Sequence, residues 1–199
     1  MGKSEQKRKY HSPLREEQAE STRRRIVDAL ADLVEEGDLQ DISAAAVAQR
    51  AGVSQPTVFH YFPTKAALFQ ALASRQFRYV VEGLGPRTPE ELADAIRTVY
   101  RRSNSIESLV RWTLANPIAS STPRPHRTER MRLLQAALED TLDRLPAAEA
   151  ERLERIALLL SSPTASLYWK DYLGLSPDES ADVAGWALLA LVAHLQEHG

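Results

Sequence analysis

The stretch SAAAVAQRAGVSQPTVFHYFPTK, residues 43–65, predicts two short helices joined by a tight turn. Ser43 can cap the first helix because its hydroxyl can accept a free backbone N–H of the opening turn. Gly52 tolerates the left-handed backbone that ends many helices, Ser54 offers a second N-cap, and Pro63 stops the second helix. This pattern is typical of a DNA-binding helix-turn-helix, although an ordinary corner between two helices has the same local features.

The outward side of the second helix separates these two possibilities. Val58 and Phe62 lie four residues apart and share one face, which is expected to pack in a core. Gln55, at the N-terminal end, has an amide that can both donate to and accept from an adenine edge in a major groove. The polar and apolar side chains left outside favour DNA contact. We predict that the DNA-binding residues are Ser43, Ser54, Gln55, Pro56, Thr57, Phe59, His60, Tyr61 and Lys65.

Members of this set have different expected roles. Phe59 and the methyl group of Thr57 can touch a thymine methyl, as can the ring of the proline between Gln55 and Thr57. The polar groups of Thr57, His60 and Tyr61 can donate to phosphate oxygens, and so can Lys65 at the start of the next helix. Taken singly, His60 also fits a solvated surface histidine and Tyr61 a core tyrosine.

The same region resembles a known family. The matching residues are Ile42, Ala-Val-Ala at 46–48, Ala-Gly-Val-Ser at 51–54, Thr57, His-Tyr-Phe-Pro at 60–63 and Lys-Ala-Ala-Leu at 65–68. They closely resemble the tetracycline-repressor-like helix-turn-helix of TetR family transcriptional regulators. The resemblance implies an all-α protein, with an N-terminal three-helix DNA-binding domain and a C-terminal helical domain for ligand binding and dimerisation.

The first helix of the motif departs from that family pattern. Where members often have Arg, Lys or Thr, this chain has Ala44, Ala45 and Ala46. Alanine side chains form no hydrogen bond and carry no charge. We therefore expect this helix to add little base reading, with Ser43 as its phosphate contact.

The chain divides into three predicted parts. Residues 1–20 are polar and of mixed charge, so we expect a disordered, partly basic arm. Residues 21–81 form the expected DNA-binding domain, with the motif at 43–62. Residues 83–199 form the C-terminal domain, in which helical periodicity recurs throughout.

Composition bounds the class of protein. Residues 1–80 hold 12 Lys+Arg against 10 Asp+Glu, and the remainder holds 13 against 17, so positive charge is concentrated only modestly in the predicted DNA-binding part. Cysteine is absent, which excludes disulfides and thiolate metal sites. No apolar run reaches membrane-spanning length and the start lacks a signal-peptide core, so we expect a cytoplasmic protein with no membrane partner.

The last helix suggests self-association. Residues 184–193 are apolar without a break, and a helix that is apolar all round must be covered on a second side. The same helix of a second subunit is the economical cover, while deep burial within one subunit is the alternative. The predicted dimer interface residues are Leu159, Leu160, Trp186, Leu189 and Val192.

A ligand pocket is implied by the family resemblance and not by any motif. The C-terminal domain of such a regulator would enclose a small inducer whose binding alters the spacing of the DNA-binding domains. Candidates to line it are Phe77, Tyr100, Arg111, Trp112, His126, Met131 and Tyr168, each of which also fits plain core or surface. The sequence does not identify the inducer, and we predict no cofactor and no metal.

Other function classes fit less well. The chain has no HExxH, no glycine-rich phosphate loop and no G-x-S-x-G, so we predict that it is not an enzyme. A helical protein-binding adaptor with a vestigial DNA-binding domain is the second possibility. The row of polar residues on the second helix favours the regulator, and we predict a ligand-responsive repressor that binds a palindromic operator in double-stranded DNA as a homodimer.

Overall fold

Helices make up all the regular structure in the computed structural model, which describes residues 13–37, 42–116 and 127–198. This part of the chain contains ten helices and no strand, which confirms the predicted all-α class. The helices are α1 (Pro13–Glu35), α2 (Ala44–Ala51), α3 (Gln55–Tyr61), α4 (Lys65–Val81), α5 (Pro89–Ser105), α6 (Glu107–Ala115), α7 (Arg127–Leu142), α8 (Ala147–Leu160), α9 (Pro163–Leu173) and α10 (Pro177–His198). None of these helices is both long and apolar enough to cross a bilayer.

Two compact units divide the chain, residues 1–68 (the head) and residues 69–199 (the body). The sequence placed the boundary later, at 81–83, by assigning all of α4 to the DNA-binding domain. The structure assigns α4 beyond Leu68 to the body because its side chains pack there. The ring of Phe69, for example, meets that of Trp112 edge-on, with centroids 4.6 Å apart.

The head is built from α1, α2 and α3 around one small core. Ile26 and Leu30 of α1 and Val47 of α2 are fully buried, and Val58 and Phe62 from the α3 region are nearly so. The four-residue spacing of the last two puts them on the same side of α3, as the sequence indicated. Their burial determines which side of α3 faces out.

Helix α1 begins earlier than the sequence suggested. It starts at Pro13 and not near Ser21, so residues 13–20, which we expected to be disordered, are helical. Glu, Gln and Ala are good helix formers, and lengthening an existing helix needs no new nucleus. Residues 1–12 lie outside the described part of the chain.

The body is organised around α5 and α10, which pack closely along their lengths. A Cβ atom added to Gly185 of α10 would lie 3.2 Å from the Cβ of Ala93, so the missing side chain allows the close approach. The capping box at the start of α10 is reciprocal. The Glu179 N–H donates to Ser176 Oγ at 3.2 Å, and the Ser176 N–H donates to Glu179 Oε2 at 2.8 Å.

Candidate nucleic-acid interface

Helix α2 is positioned by its N-cap. Ser43 has an extended backbone, with φ −91° and ψ 153°, and its Oγ accepts from the Ala46 N–H at 3.1 Å. This satisfies one donor that the first turn would otherwise leave free. The hydroxyl of Ser43 stays exposed, where it can also meet a phosphate oxygen.

The turn between α2 and α3 depends on the backbone of Gly52. Its φ of 64° and ψ of 38° are left-handed. The Val53 N–H donates to the Ala48 carbonyl at 3.0 Å, and the Gly52 N–H donates to the Gln49 carbonyl at 3.2 Å. This pair of bonds is a Schellman motif, which ends α2 and sends the chain into α3.

Substitution of Gly52 tests this geometry. A Cβ added there would meet no atom within 4 Å, so Gly52→Ala adds backbone strain without a clash. We expect it to lower the free energy of unfolding by about 1–2 kcal/mol, the cost of a left-handed conformation for an L-residue. Chemical denaturation measures the loss. Gly52→Asn is the control and should lose less, since Asn adopts this conformation more readily; equal losses would contradict the explanation.

The start of α3 is held by a second cap. Ser54 Oγ accepts from the Thr57 N–H at 3.3 Å, and the Ser54 and Thr57 hydroxyl oxygens are 2.7 Å apart, within hydrogen-bond distance. Pro56 occupies the first turn, where its missing N–H is no loss. The Thr57 hydroxyl therefore lies against Ser54, and its methyl group is available for contact with a base.

The predicted contacts share the outward side of this motif. Seven of the nine are exposed, while Thr57 and Tyr61 are half-buried. Phe59 is 47% exposed although its ring is large and apolar. The rings of His60 and Tyr61 meet edge-on, with centroids 5.2 Å apart, so each restricts the other. Neither is a buried core residue, and the corner reading of the motif leaves this exposed row unexplained.

Two charged side chains near the motif have different surroundings. Arg50 of α2 donates to both carboxylate oxygens of Glu36, at 2.7 and 2.5 Å. This pairing lowers the pKa of Glu36 and neutralises a cation that would otherwise suit a phosphate. Lys65, the first residue of α4, is exposed next to the Thr64 cap, in which Thr64 Oγ1 accepts from the Ala67 N–H at 3.0 Å.

A basic side chain that sequence reasoning missed lies at the end of α3. The guanidinium carbon of Arg23 is 4.7 Å from the centroid of the Phe62 ring. These residues are far apart in the chain, and no sequence spacing predicts their contact.

A family model matches this region of the chain. Residues 26–72 match the family model described as "Bacterial regulatory proteins, tetR family". This range includes α2, the Gly52 turn and α3. Over this region the chain is similar to the tetR family. Its TetR-type motif coincides with the residues that carried the resemblance in the sequence.

Curated relatives cover part of the chain. It is 32% identical over 108 residues to the HTH-type transcriptional repressor KstR of Mycolicibacterium smegmatis, covering 54% of this chain and 50% of that protein. It is 33% identical over 91 residues to the repressor of the same name from Rhodococcus jostii, covering 44% and 43%. The chain thus spans about half the length of the curated relatives it matches, or less.

Solved structures extend the similarity over most of the chain. A TetR transcriptional regulator from Rhodococcus sp. RHA1 has a TM-score of 0.57 and 21% identity, covering 86% of this chain and 96% of that one. SCO0253, a TetR-family regulator from Streptomyces coelicolor, has a TM-score of 0.55 and 22% identity, covering 89% and 96%. At this identity the likeness shows a shared fold. These relatives are described as transcriptional regulators or repressors, and none as an enzyme.

The predicted dimer residues differ in their exposure. Leu159 of α8 and Trp186 of α10 are 62% and 71% exposed, and Leu160 and Leu189 are half-buried. Val192 is only 4% exposed and belongs to the body's own core, so its assignment to the interface was wrong. The apolar run of α10 therefore has two faces, one packed within the subunit and one exposed at its surface.

The predicted pocket residues differ in burial, and Tyr100 and Met131 share one core cluster of the body. Tyr100 and Trp112 are buried, Phe77 and Met131 are half-buried, and His126 lies outside the described residues. The Tyr100 hydroxyl donates to the Leu160 carbonyl at 2.5 Å, and burial raises the pKa of this phenol.

Two of those seven residues lie at the surface. Tyr168 is 56% exposed and stacks on Tyr172, with ring centroids 4.4 Å apart, so it lies outside the interior where a pocket would be. Arg111 is exposed and donates to Glu107 and to both oxygens of Asp171, at 2.8 and 2.5 Å. These bonds hold α6 against α9 and lower the pKa of Asp171, so this guanidinium is not free to orient a ligand.

Proposed function

We propose that the chain is a cytoplasmic DNA-binding transcriptional regulator that binds a palindromic operator in double-stranded DNA as a homodimer and represses transcription. One observation carries the proposal: the outward side of α3 presents Gln55, Phe59 and His60 while Val58 and Phe62 are buried behind it. Capping by Ser54 fixes this orientation. The similarity to TetR family repressors supports it.

In this proposal α3 lies in the major groove. Gln55 reads an adenine edge, and Pro56, Phe59 and the Thr57 methyl line the apolar surface toward thymine methyl groups. Ser43, Ser54, His60, Tyr61 and Lys65 donate to the DNA backbone. Base contacts then choose the sequence, and backbone contacts set the register.

Self-association would use an exposed apolar surface on α8 and α10. We call the side chains Ile156, Leu159, Val183 and Trp186 the α8–α10 patch; they are 40, 62, 45 and 71% exposed. Helices α8 and α10 pack against each other, and large apolar side chains exposed on a surface favour an interaction site. A second copy suits it because a two-fold axis presents two heads to the two halves of a palindrome.

Response to a small-molecule inducer is the further part of the proposal. Such a ligand must bind one conformation of the dimer better than the other, or it shifts nothing. The buried aromatic groups Phe69, Tyr100 and Trp112 supply apolar material in the body against which a ligand can pack. Release of operator DNA on addition of a candidate ligand is the test.

A helical adaptor is the second candidate, and one observation favours it. On α9, Tyr168, Tyr172 and Leu173 are 56, 73 and 65% exposed, which suits a protein partner. An adaptor, however, has no need for the row of side chains on α3. Capture of genomic fragments followed by sequencing distinguishes the two, since a regulator enriches defined sites and an adaptor enriches none above the non-specific level at physiological salt.

Two separate alanine substitutions distinguish base reading from contact with the DNA backbone. Gln55→Ala is expected to lose roughly 1–3 kcal/mol of discrimination at one operator position, because the amide no longer pairs with a base edge. Lys65→Ala should weaken binding to all sequences alike and reduce the slope of log affinity against log salt by about 1 for each head. Gel shifts across operator variants and salt concentrations measure both effects. If the two variants lose affinity in the same pattern, the assigned roles are wrong.

A further inference from the structure

Arg23 occupies a defined position beside the recognition helix. Its guanidinium carbon lies 4.7 Å from the centre of the Phe62 ring, within the range of a cation–π contact. Phe62 follows α3 directly and is 2% exposed, so its ring is a rigid support. The side chain of Arg23 is itself exposed. The contact therefore holds a cation at the surface, at the C-terminal end of α3.

Among the described residues, no acid forms an ion pair with Arg23. Many described arginines are paired with carboxylates, and in the head Arg50 is paired with Glu36. The others so paired are Arg97, Arg101, Arg111, Arg132 and Arg155. None of the ion pairs found among the described residues involves Arg23. A stacked guanidinium still has N–H groups at its edge, directed away from the ring.

We propose that Arg23 is a phosphate-binding residue that positions α3 in the groove, and this rests on the proposed DNA-binding function. When α3 enters a major groove, its C-terminal end approaches the sugar–phosphate backbone at the groove edge. Arg23 then donates to the oxygens of one phosphodiester, which planar guanidinium groups bind in a bidentate manner. Support by Phe62 restricts the side chain before DNA arrives, so less conformational entropy is lost on binding.

Removal of the charge gives a result that a purely structural role would not. We expect Arg23→Gln to reduce the slope of log affinity against log salt by about 0.9 for each head. For a dimer on a full operator at 0.15 M salt this amounts to a loss of roughly thirtyfold, the same on operator and on random DNA. Fluorescence anisotropy with labelled duplexes measures both quantities. The salt concentration is varied between about 0.05 and 0.3 M, on the order of physiological ionic strength.

Two further variants complete the test. Arg24→Gln removes the same charge from the neighbouring exposed position and should leave the slope near the wild-type value. Arg23→Lys should restore the slope, because the charge is kept, while recovering only part of the affinity, because the planar fork is lost. Melting temperatures measured alongside show whether each variant is folded.

The outcomes separate this inference from the proposed function. If Arg23→Gln matches the wild type, or if Arg24→Gln lowers the slope equally, the assignment of Arg23 is overturned while DNA binding stands. If the wild-type protein itself binds no DNA above the non-specific level, the proposed function falls and this inference falls with it. A lowered melting temperature with an unchanged salt slope would assign Arg23 to stability alone.

Discussion

Trp186→Arg is expected to convert the proposed dimer to a monomer without unfolding the body. Trp186 is 71% exposed, so its indole contributes little to the core of its own subunit. At a two-fold interface each substitution acts twice, placing two new charges in a surface that must lose its water. Sedimentation velocity measures the change in mass, and circular dichroism checks that the helical content is kept.

Operator binding should fall with dimerisation. Two linked heads on one palindrome gain an effective concentration worth about 10²–10⁴ in affinity, and a monomer loses this gain. We therefore expect Trp186→Arg to weaken full-operator binding by at least roughly a hundredfold, while binding to an isolated half-site stays close to wild type. A gel shift with full-site and half-site duplexes distinguishes these results.

Tyr172→Arg is the matched control for this substitution. Tyr172 is similarly exposed, at 73%, and aromatic, but it lies on α9 and outside the α8–α10 patch. It should leave both mass and operator binding unchanged. If Trp186→Arg remains a dimer while Tyr172→Arg dissociates, the interface lies on α9, and the assignment to α8 and α10 is wrong.

Leu188→Ala, two residues along the same helix, should have the opposite effect. Leu188 is fully buried in the body core, so truncation removes apolar contacts and leaves a cavity. Such substitutions cost about 2–5 kcal/mol in the free energy of unfolding. For a chain of this size that corresponds to a fall in melting temperature of roughly 5–15 °C. Differential scanning calorimetry measures it, and the folded variant should still dimerise at low temperature.

A volume-conserving substitution serves as the control for Leu188. Leu188→Met keeps the side-chain volume and should cost less than about 1.5 kcal/mol. A loss below about 1 kcal/mol for Leu188→Ala would contradict the burial of this residue. Together, Trp186 and Leu188 test whether α10 has one face for its own subunit and another for a partner.

The motif could be predicted from sequence because its determinants are local. Ser43, Gly52 and Ser54 act on hydrogen bonds within four or five residues, and the Val58–Phe62 spacing indicates which side of α3 is buried. The same rules placed the start of α10 at Ser176. In each case the cap and the backbone groups it satisfies are close neighbours in the chain, so no knowledge of the fold was needed.

The less local features were predicted poorly. An unbroken apolar run in α10 does not show which side meets the rest of the subunit, so Trp186 and Val192 looked equivalent, although they are 71% and 4% exposed. Tyr168 looked like a core or pocket residue because the sequence does not show whether an aromatic side chain is buried or exposed. The unit boundary after Leu68 was missed because α4 is continuous across it.

By itself, the sequence determined that the chain is helical, where the helix-turn-helix lies and which side of α3 faces outward, since periodicity and capping are properties of neighbouring residues. Only the tertiary structure decided which apolar side chains stay exposed on α8, α9 and α10, which arginines are neutralised, and that Arg23 rests on Phe62. Those features depend on contacts between residues far apart in the chain, whose meeting is set by how the helices pack.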